Sequence, residues 1–246
     1  MLKKRIIFTL TFNNGVLFRT KNFKPDYRYT KNFIDLWSVD ELILIDVSKK
    51  KNLKKFVKIV EFFSKNCFVP ITIGGGIKNI KDADICFRNG AEKVLLGSAS
   101  TENLKLIYDI SKKYGNQSII QSIDCKKNSK NDYKVLKNSG VSEANVNPVE
   151  WGRKLLNYGV GEILINNVYN DGGLLGYDLD LINFFSKGLD CPILALGGAG
   201  NWQHMLDLFK KTNVSAACTQ NIYHFTEKSI LSAKNYLQQN NIKIRN

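Results

Sequence analysis

The sequence predicts a (β/α)8 barrel on three observations. Short apolar runs alternate with amphipathic stretches along the chain, the pattern of a parallel sheet covered by helices. Eight such runs fit within 246 residues, the length at which a sheet of this kind closes into a barrel. The two halves also echo each other: "DELILIDV" at residue 40 returns as "GEILINNV" at 161, and "VPITIGGGI" at 69 returns as "CPILALGGAG" at 191. "GAEKVLLGSA" (90–99) has a fainter partner in "NVSAACTQNI" (213–222). A repeated half-barrel predicts repeated sites related by a pseudo-twofold axis, in one domain spanning residues 1–246.

The strands follow in order. The first, 5–12, carries Thr11 near its tip and runs into a turn at Asn13-Asn14-Gly15. The second, 41–47, ends in Asp46, and the third, 69–73, meets Gly74-Gly75-Gly76. The fourth, 93–97, opens into Gly97-Ser98, and the fifth, 118–124, ends in Asp124 before a polar insert (127–147) that reads as a lid. The sixth, 162–168, precedes "YNDGG" with Asp171 and Gly172. The seventh, 192–196, runs into Gly197-Gly198-Ala199-Gly200, and the eighth, 214–219, into Gln220-Asn221. Helices are expected at 51–66, 79–89, 102–114, 148–158, 178–186, 201–211 and 227–239.

Carboxylates at C-terminal strand ends read as catalytic or substrate-binding in this fold, which singles out Asp46, Asp124 and Asp171. Capping and turn chemistry are the plainer accounts of Asp46 and Asp171. Glycine loops paired with a second short loop bring backbone amides close to an anion. Two such pairs at matched offsets predict two phosphates held at opposite sides of the mouth. At the other end of the strands, Arg5, Glu41, Lys93 and Glu162 begin strands 1, 2, 4 and 6. Two acids and two bases converging there form a neutral ring. Desolvating ions is an expensive way to plug a barrel, so a gate competes with ordinary stability pairing.

Composition narrows the function classes. No apolar run approaches the roughly 20 residues of a membrane span, and "MLKKRIIFTLTF" reads as a first strand, not as a signal peptide. Five scattered cysteines and two histidines show no metal-site spacing and suit a reducing cytoplasm. The net charge of +14 comes without any nucleic-acid-binding signature, and is read as a solvated basic surface that helps attract phosphorylated substrates or an acidic partner.

Taken together, "MLKKRIIFTLTFNNG", "VDELILIDVS", "ITIGGGI", "GAEKVLLGSA", "IDCKK", "GVGEILINNVYNDGGLLGYD", "ILALGGAG" and "IYHF" resemble the cyclase subunit of imidazole glycerol phosphate synthase, nearly end to end. The resemblance implies a glutaminase subunit docked on the barrel's N-terminal face, releasing ammonia that passes a four-residue charged gate and travels up the barrel. The gate positions match Arg5, Glu41, Lys93 and Glu162, all retained. It further implies a bisphosphate ribonucleotide held by Gly75, Gly76, Gly97, Ser98, Gly172, Gly197, Gly198, Gln220 and Asn221, with Asp46, Asn166 and Asp171 lining it. No metal or other cofactor is implied. Of the family's two acid–base aspartates, Asp124 matches the strand-5 member, while Thr11 stands at the strand-1 position. A hydroxyl cannot replace a carboxylate in proton transfer.

Other positions depart as well. The first loop (19–33) is shorter than usual and Arg19 takes a lysine's place. Gly97 replaces a usual Asn, Asn166 a usual Thr, and Leu196 a usual Ser. The substrate face has drifted while the gate has not. That pattern resembles relatives which accompany sugar amidation in surface-polysaccharide and nonulosonic-acid pathways, where the barrel and its glutaminase supply ammonia to a separate amidotransferase. The competing expectations are a true cyclase in which Asn13, Asn14 or Asp46 compensates for Thr11, and a sugar-phosphate isomerase, against which the retained gate argues.

Overall fold

The computed structural model describes residues 3–28, 38–128, 132–138, 140–220 and 229–245. Eight parallel strands close into a barrel: β1 (Arg5–Asn13), β4 (Glu41–Asp46), β5 (Ile71–Gly74), β6 (Lys93–Leu96), β7 (Ile119–Lys127), β10 (Glu162–Asn167), β11 (Ile193–Leu196) and β12 (Ala216–Thr219). Closure is direct, since β12 pairs with β1 at Arg5↔Ala216 and β7 pairs with β10 at Asp124↔Asn166. The barrel expected from the sequence is therefore the observed one.

The outer ring contains α1 (Leu53–Asn66), α2 (Ile80–Arg88), a short α3 (Ser98–Glu102), α4 (Leu104–Tyr114), α5 (Pro148–Asn157), α6 (Leu179–Gly188), α7 (Trp202–Lys211) and α8 (Ser229–Gln239). Asn52, Asn79, Asn147, Asp178 and Asn201 cap five of these, each side chain accepting a first-turn backbone N–H. Asparagine, abundant in this chain, thus starts helices at the strand-to-helix corners.

Strand alternation splits the apolar residues into two cores. Outward residues such as Phe8, Phe12, Ile73 and Ile165 pack with Phe63, Phe185 and Phe209 of the helices. Inward residues Ile7, Ile43, Leu95, Ile120, Leu164, Leu194, Ala216 and Cys218 form a separate cluster along the axis. The bore between the strand starts and the mouth is lined mainly by apolar side chains.

The half-barrel echo appears in the backbone. β5 and β11 each begin just after a proline, which has no N–H for the ladder but still offers its carbonyl. Pro70 accepts from Leu42 N–H at 2.9 Å and Pro192 accepts from Ile163 N–H at 3.1 Å.

Two hairpins extend the barrel where the sequence reads as loop. Asn14 (φ 51°) and Gly15 (φ 79°) form a two-residue left-handed turn, so β1 folds back into β2 (Val16–Lys21), which pairs with β3 (Lys24–Arg28). Within the insert expected to act as a lid, β7 pairs antiparallel with β8 (Tyr133–Lys137), and β8 with β9 (Ser142–Glu143). Tyr133 anchors it by donating to Asp178 at 2.9 Å. Among the described residues, no helix is long and apolar enough to cross a membrane.

Candidate functional site

The strand starts bring the four charged residues together. Arg5 reaches Glu41 at 2.7 Å and Glu162 at 3.2 Å, while Lys93 reaches Glu162 at 3.0 Å and Glu41 at 3.4 Å. Each cation bridges both glutamates, so the four form a closed alternating ring beneath the apolar bore. Burial works against the Arg5 charge, but Glu162 and Glu41 outweigh it and hold the guanidinium above its ordinary value. Losing one member of such a ring leaves two like charges sharing one opposite charge, and an uncompensated buried charge is costly.

The strand ends surround a cavity of about 1250 Å³. Its lining includes Thr11, Asp46, Gly75, Gly76, Gly97, Ser98, Asp124, Asn166, Asp171, Gly172, Gly197, Gly198 and Gln220, so these candidates share one mouth. Asn221, the remaining one, lies in 221–228, outside the described residues, as do 29–33 of the first loop.

At Gly75 (φ 95°), a Cβ would run into the backbone oxygen of Asp46; at Gly197 (φ 94°), it would crowd Asn166 and the Asn167 carbonyl. Equivalent glycines of the two halves thus press on equivalent strand ends, in a conformation that L side chains resist. The two sides differ in charge. Lys49, Lys50, Lys51 and Lys78 line the Gly75–Gly76 side, and among the described residues they are all the lysines of the lining. The lysine run after Ser48 carried this signal but reads, from sequence, as part of a basic helix face.

Asp124 sits on β7 with its carboxyl enclosed. Burial pushes its pKa up to about 6, against hydrogen bonds from Ser122 and Asn166 and with a smaller upward push from Asp171. A carboxyl titrating near neutrality suits general acid–base work. The other strand-end carboxylates are already engaged. Asp46 accepts from the Ser48 backbone N–H at 2.9 Å and from the Ser48 hydroxyl. Asp171 accepts from Thr20 Oγ1 at 3.1 Å and from Phe23 N–H at 2.9 Å, so it clasps the β2–β3 hairpin. Burial raises its pKa, and those two bonds oppose the rise.

Thr11 is buried, and its hydroxyl donates to Phe18 O at 2.6 Å while accepting from Gln220 Nε2 at 3.1 Å. The Gln220 amide also donates to Phe18 O. The side chain expected to face a phosphate is therefore turned toward β1 and β2. Ser98 opens α3, and its hydroxyl accepts from Asn138 N–H at 2.7 Å. Arg19, on β2, pairs with Asp26 of β3. Among the described residues, the buried Thr9 and Thr219 hydroxyls and the Asn166 Oδ1 have no hydrogen-bond partner within the protein, and all three residues line the mouth.

A closed eight-stranded barrel with a salt-bridged floor, an apolar bore and a cavity at the C-terminal strand ends has the architecture of the (β/α)8 barrels, in which active sites lie at that face. Comparison with known proteins gives the family: the family model described as Histidine biosynthesis protein matches residues 11–229, and the chain belongs to that family. It is similar to the imidazole glycerol phosphate synthase subunit HisF of Hydrogenobaculum sp. (strain Y04AAS1), at 35% identity over 253 residues covering 100% of both chains. The proteins of that name from Clostridium botulinum (strain Okra / Type B1) and Bacillus cereus (strain G9842) are 34% and 33% identical, again over 100% of both chains. The chain is a HisF-like barrel.

Proposed function

We propose that this chain is the ammonia-accepting barrel of a glutamine amidotransferase system, with cyclase chemistry impaired at Thr11. A glutaminase subunit docks on the N-terminal face, and ammonia enters through the ring of Arg5, Glu41, Lys93 and Glu162. An apolar bore suits a neutral molecule and resists its ammonium form, because burying an unpaired charge is prohibitive. Nitrogen leaves at the mouth for sugar amidation, carried out with a separate amidotransferase. A phosphorylated small molecule occupies the glycine loops, favoured by the lysines beside Gly75 and Gly76. The reading takes the chain as one domain working in the cytoplasm, which its five free thiols support.

The observation that carries the reading is the Thr11 hydroxyl, tied to Phe18 and Gln220 at the position where the resemblance places a second aspartate. Asp46 and Asp171 are each held by two donors, so neither stands ready as a substitute. A second reading, a genuine cyclase subunit making imidazole glycerol phosphate and AICAR in histidine biosynthesis, draws on Asp124, whose pKa of about 6 keeps one acid–base group in working range.

An ammonia-driven cyclase assay on the purified chain, with and without Thr11→Asp, separates the two. The proposal expects little wild-type turnover. Robust wild-type turnover would establish the second reading in its place. Activity gained only with Thr11→Asp would show that the bisphosphate site survives and the chemistry alone was lost.

A further inference from the structure

The charged floor has a fifth member that lies outside the four-residue motif. Residues 243–245 run beside the start of β1, where Lys4 N–H donates to Lys243 O at 2.7 Å and Arg245 N–H donates to Lys4 O at 2.9 Å. Ile244, between them, is buried in the core. This strap fixes the Arg245 backbone at the floor, and its guanidinium Nη1 lies 3.5 Å from Glu41 Oε1. Arg5 binds that same oxygen at 2.7 Å, and Lys93 faces the other at 3.4 Å. Glu41 therefore has three cations around it and Glu162 has two. Of the adjacent charges, Lys4 Nζ donates to Val214 O, and Asp40 is buried against Lys234 at 2.8 Å and accepts from Ile6 N–H at 2.7 Å, with Arg245 adding a weaker attraction to it.

We propose that Arg245 is a positioning residue of this floor, the counter-ion that keeps Glu41 neutralised when Lys93 leaves the ring. Lys93 is the member free to leave. Arg5 forks onto both glutamates with three contacts from a planar guanidinium, whereas Lys93 holds them with one ammonium on a flexible stem, through a single contact to each carboxylate at 3.0 and 3.4 Å. In a four-residue ring its departure strands two buried carboxylates on a single arginine, which strongly opposes opening. With Arg245 present, the group that remains is balanced, two cations against two carboxylates. Conversely, the closed ring carries one cation in excess, so Arg245 competes with Lys93 for Glu41. At 48% exposure, the Arg245 side chain acts from the rim and leaves the axis to Lys93. The inference rests on the gate reading only for what the opening serves.

The test is competitive acetylation of Lys93 by acetic anhydride, read by mass spectrometry on the full chain of wild type, Arg245→Gln and Arg245→Lys. Lys93 is expected to label about two- to fivefold more slowly in Arg245→Gln, the size of effect a half-exposed ion pair exerts. Arg245→Lys should restore the wild-type rate, because a cation returns. The strap bonds of residue 245 are main-chain, so the variants keep them, and equal thermal melting verifies the fold. Equal or faster Lys93 labelling in Arg245→Gln overturns the proposal. Nitrogen transfer from a glutaminase, measured on the same variants, probes the gate itself: slowed labelling with unaltered transfer upholds Arg245 as a positioning residue and sinks the gate reading.

Discussion

Thr11 Oγ1 donates to the carbonyl oxygen of Phe18 at 2.6 Å, joining the tip of β1 to β2 of the hairpin it feeds. Gln220, at the end of β12, completes the junction from the far side. Three segments of the mouth are thus pinned by one hydroxyl. Thr11→Val removes that hydroxyl at nearly constant volume and leaves the Phe18 carbonyl and the Gln220 amide bonded only to each other. The expected loss is about 0.5–1.5 kcal/mol in urea unfolding, the net worth of a hydrogen bond whose partners keep another. Thr11→Ser should stay close to wild type. If Thr11→Val were neutral, the hydroxyl would have no structural employment, and the argument for its having replaced a catalytic group would weaken.

The floor predicts a coupling defect. In Lys93→Ala, Glu162 keeps only Arg5, and Glu41 keeps Arg5 with the more distant Arg245. The ring loses its closed alternation while the apolar bore above it is untouched. With a glutaminase bound, the nitrogen delivered per glutamine hydrolysed is expected to fall severalfold, with ammonia lost to solvent. An unchanged ratio would mean that the ring is only structural.

Much of this architecture was legible from the sequence because periodicity and position carry it. Eight apolar runs became eight barrel strands, and the charged residues that begin strands converge because a parallel barrel gathers its strand starts. Asp124 was legible for the same reason at the other end. The hairpin at 16–28 was not. Its turn shows in Asn14-Gly15, but whether the returning segment pairs depends on Asp171, some 150 residues away, clasping Thr20 and Phe23. The lysines beside Gly75 were hidden by their neighbours, since a lysine run before a basic helix looks like surface charge until the loop places it on the mouth. Arg245 gave no local signal, because its meaning comes from a strap closing onto β1.

The clasp at Asp171 has a measurable role. Asp171→Ala removes both acceptors, leaving the Phe23 N–H and the Thr20 hydroxyl to find water. The β2–β3 hairpin should then open more often. The Phe23 amide is expected to exchange its hydrogen at least tenfold faster, while core amides such as Ile43 keep their protection. Uniform acceleration across both would indicate global destabilisation and would argue against a local clasp.

Asp124 should oppose folding at neutral pH, and the sign follows from its enclosure. Its carboxyl has an ordinary value of 3.8 and titrates at about 6 in the fold, so the folded chain holds that proton more tightly than the unfolded chain does. The penalty is absent below the unfolded value, grows as pH rises from about 4 to about 6, and is complete above that. The difference between the two values is worth up to about 3 kcal/mol, reduced by whatever solvent screens at the cavity edge. Asp124→Asn keeps an acceptor for Ser122 and removes the buried charge. It should therefore be more stable than wild type at pH 7.5, with the gain shrinking toward pH 4.5. Any proton transfer that Asp124 performs should drop by about 10²–10⁴-fold in the same variant. Urea unfolding of the pair at several pH values decides the matter. A difference that does not vary with pH would show that Asp124 is ionised as easily in the fold as in the unfolded chain, and would remove the carboxyl from the list of groups tuned for acid–base work.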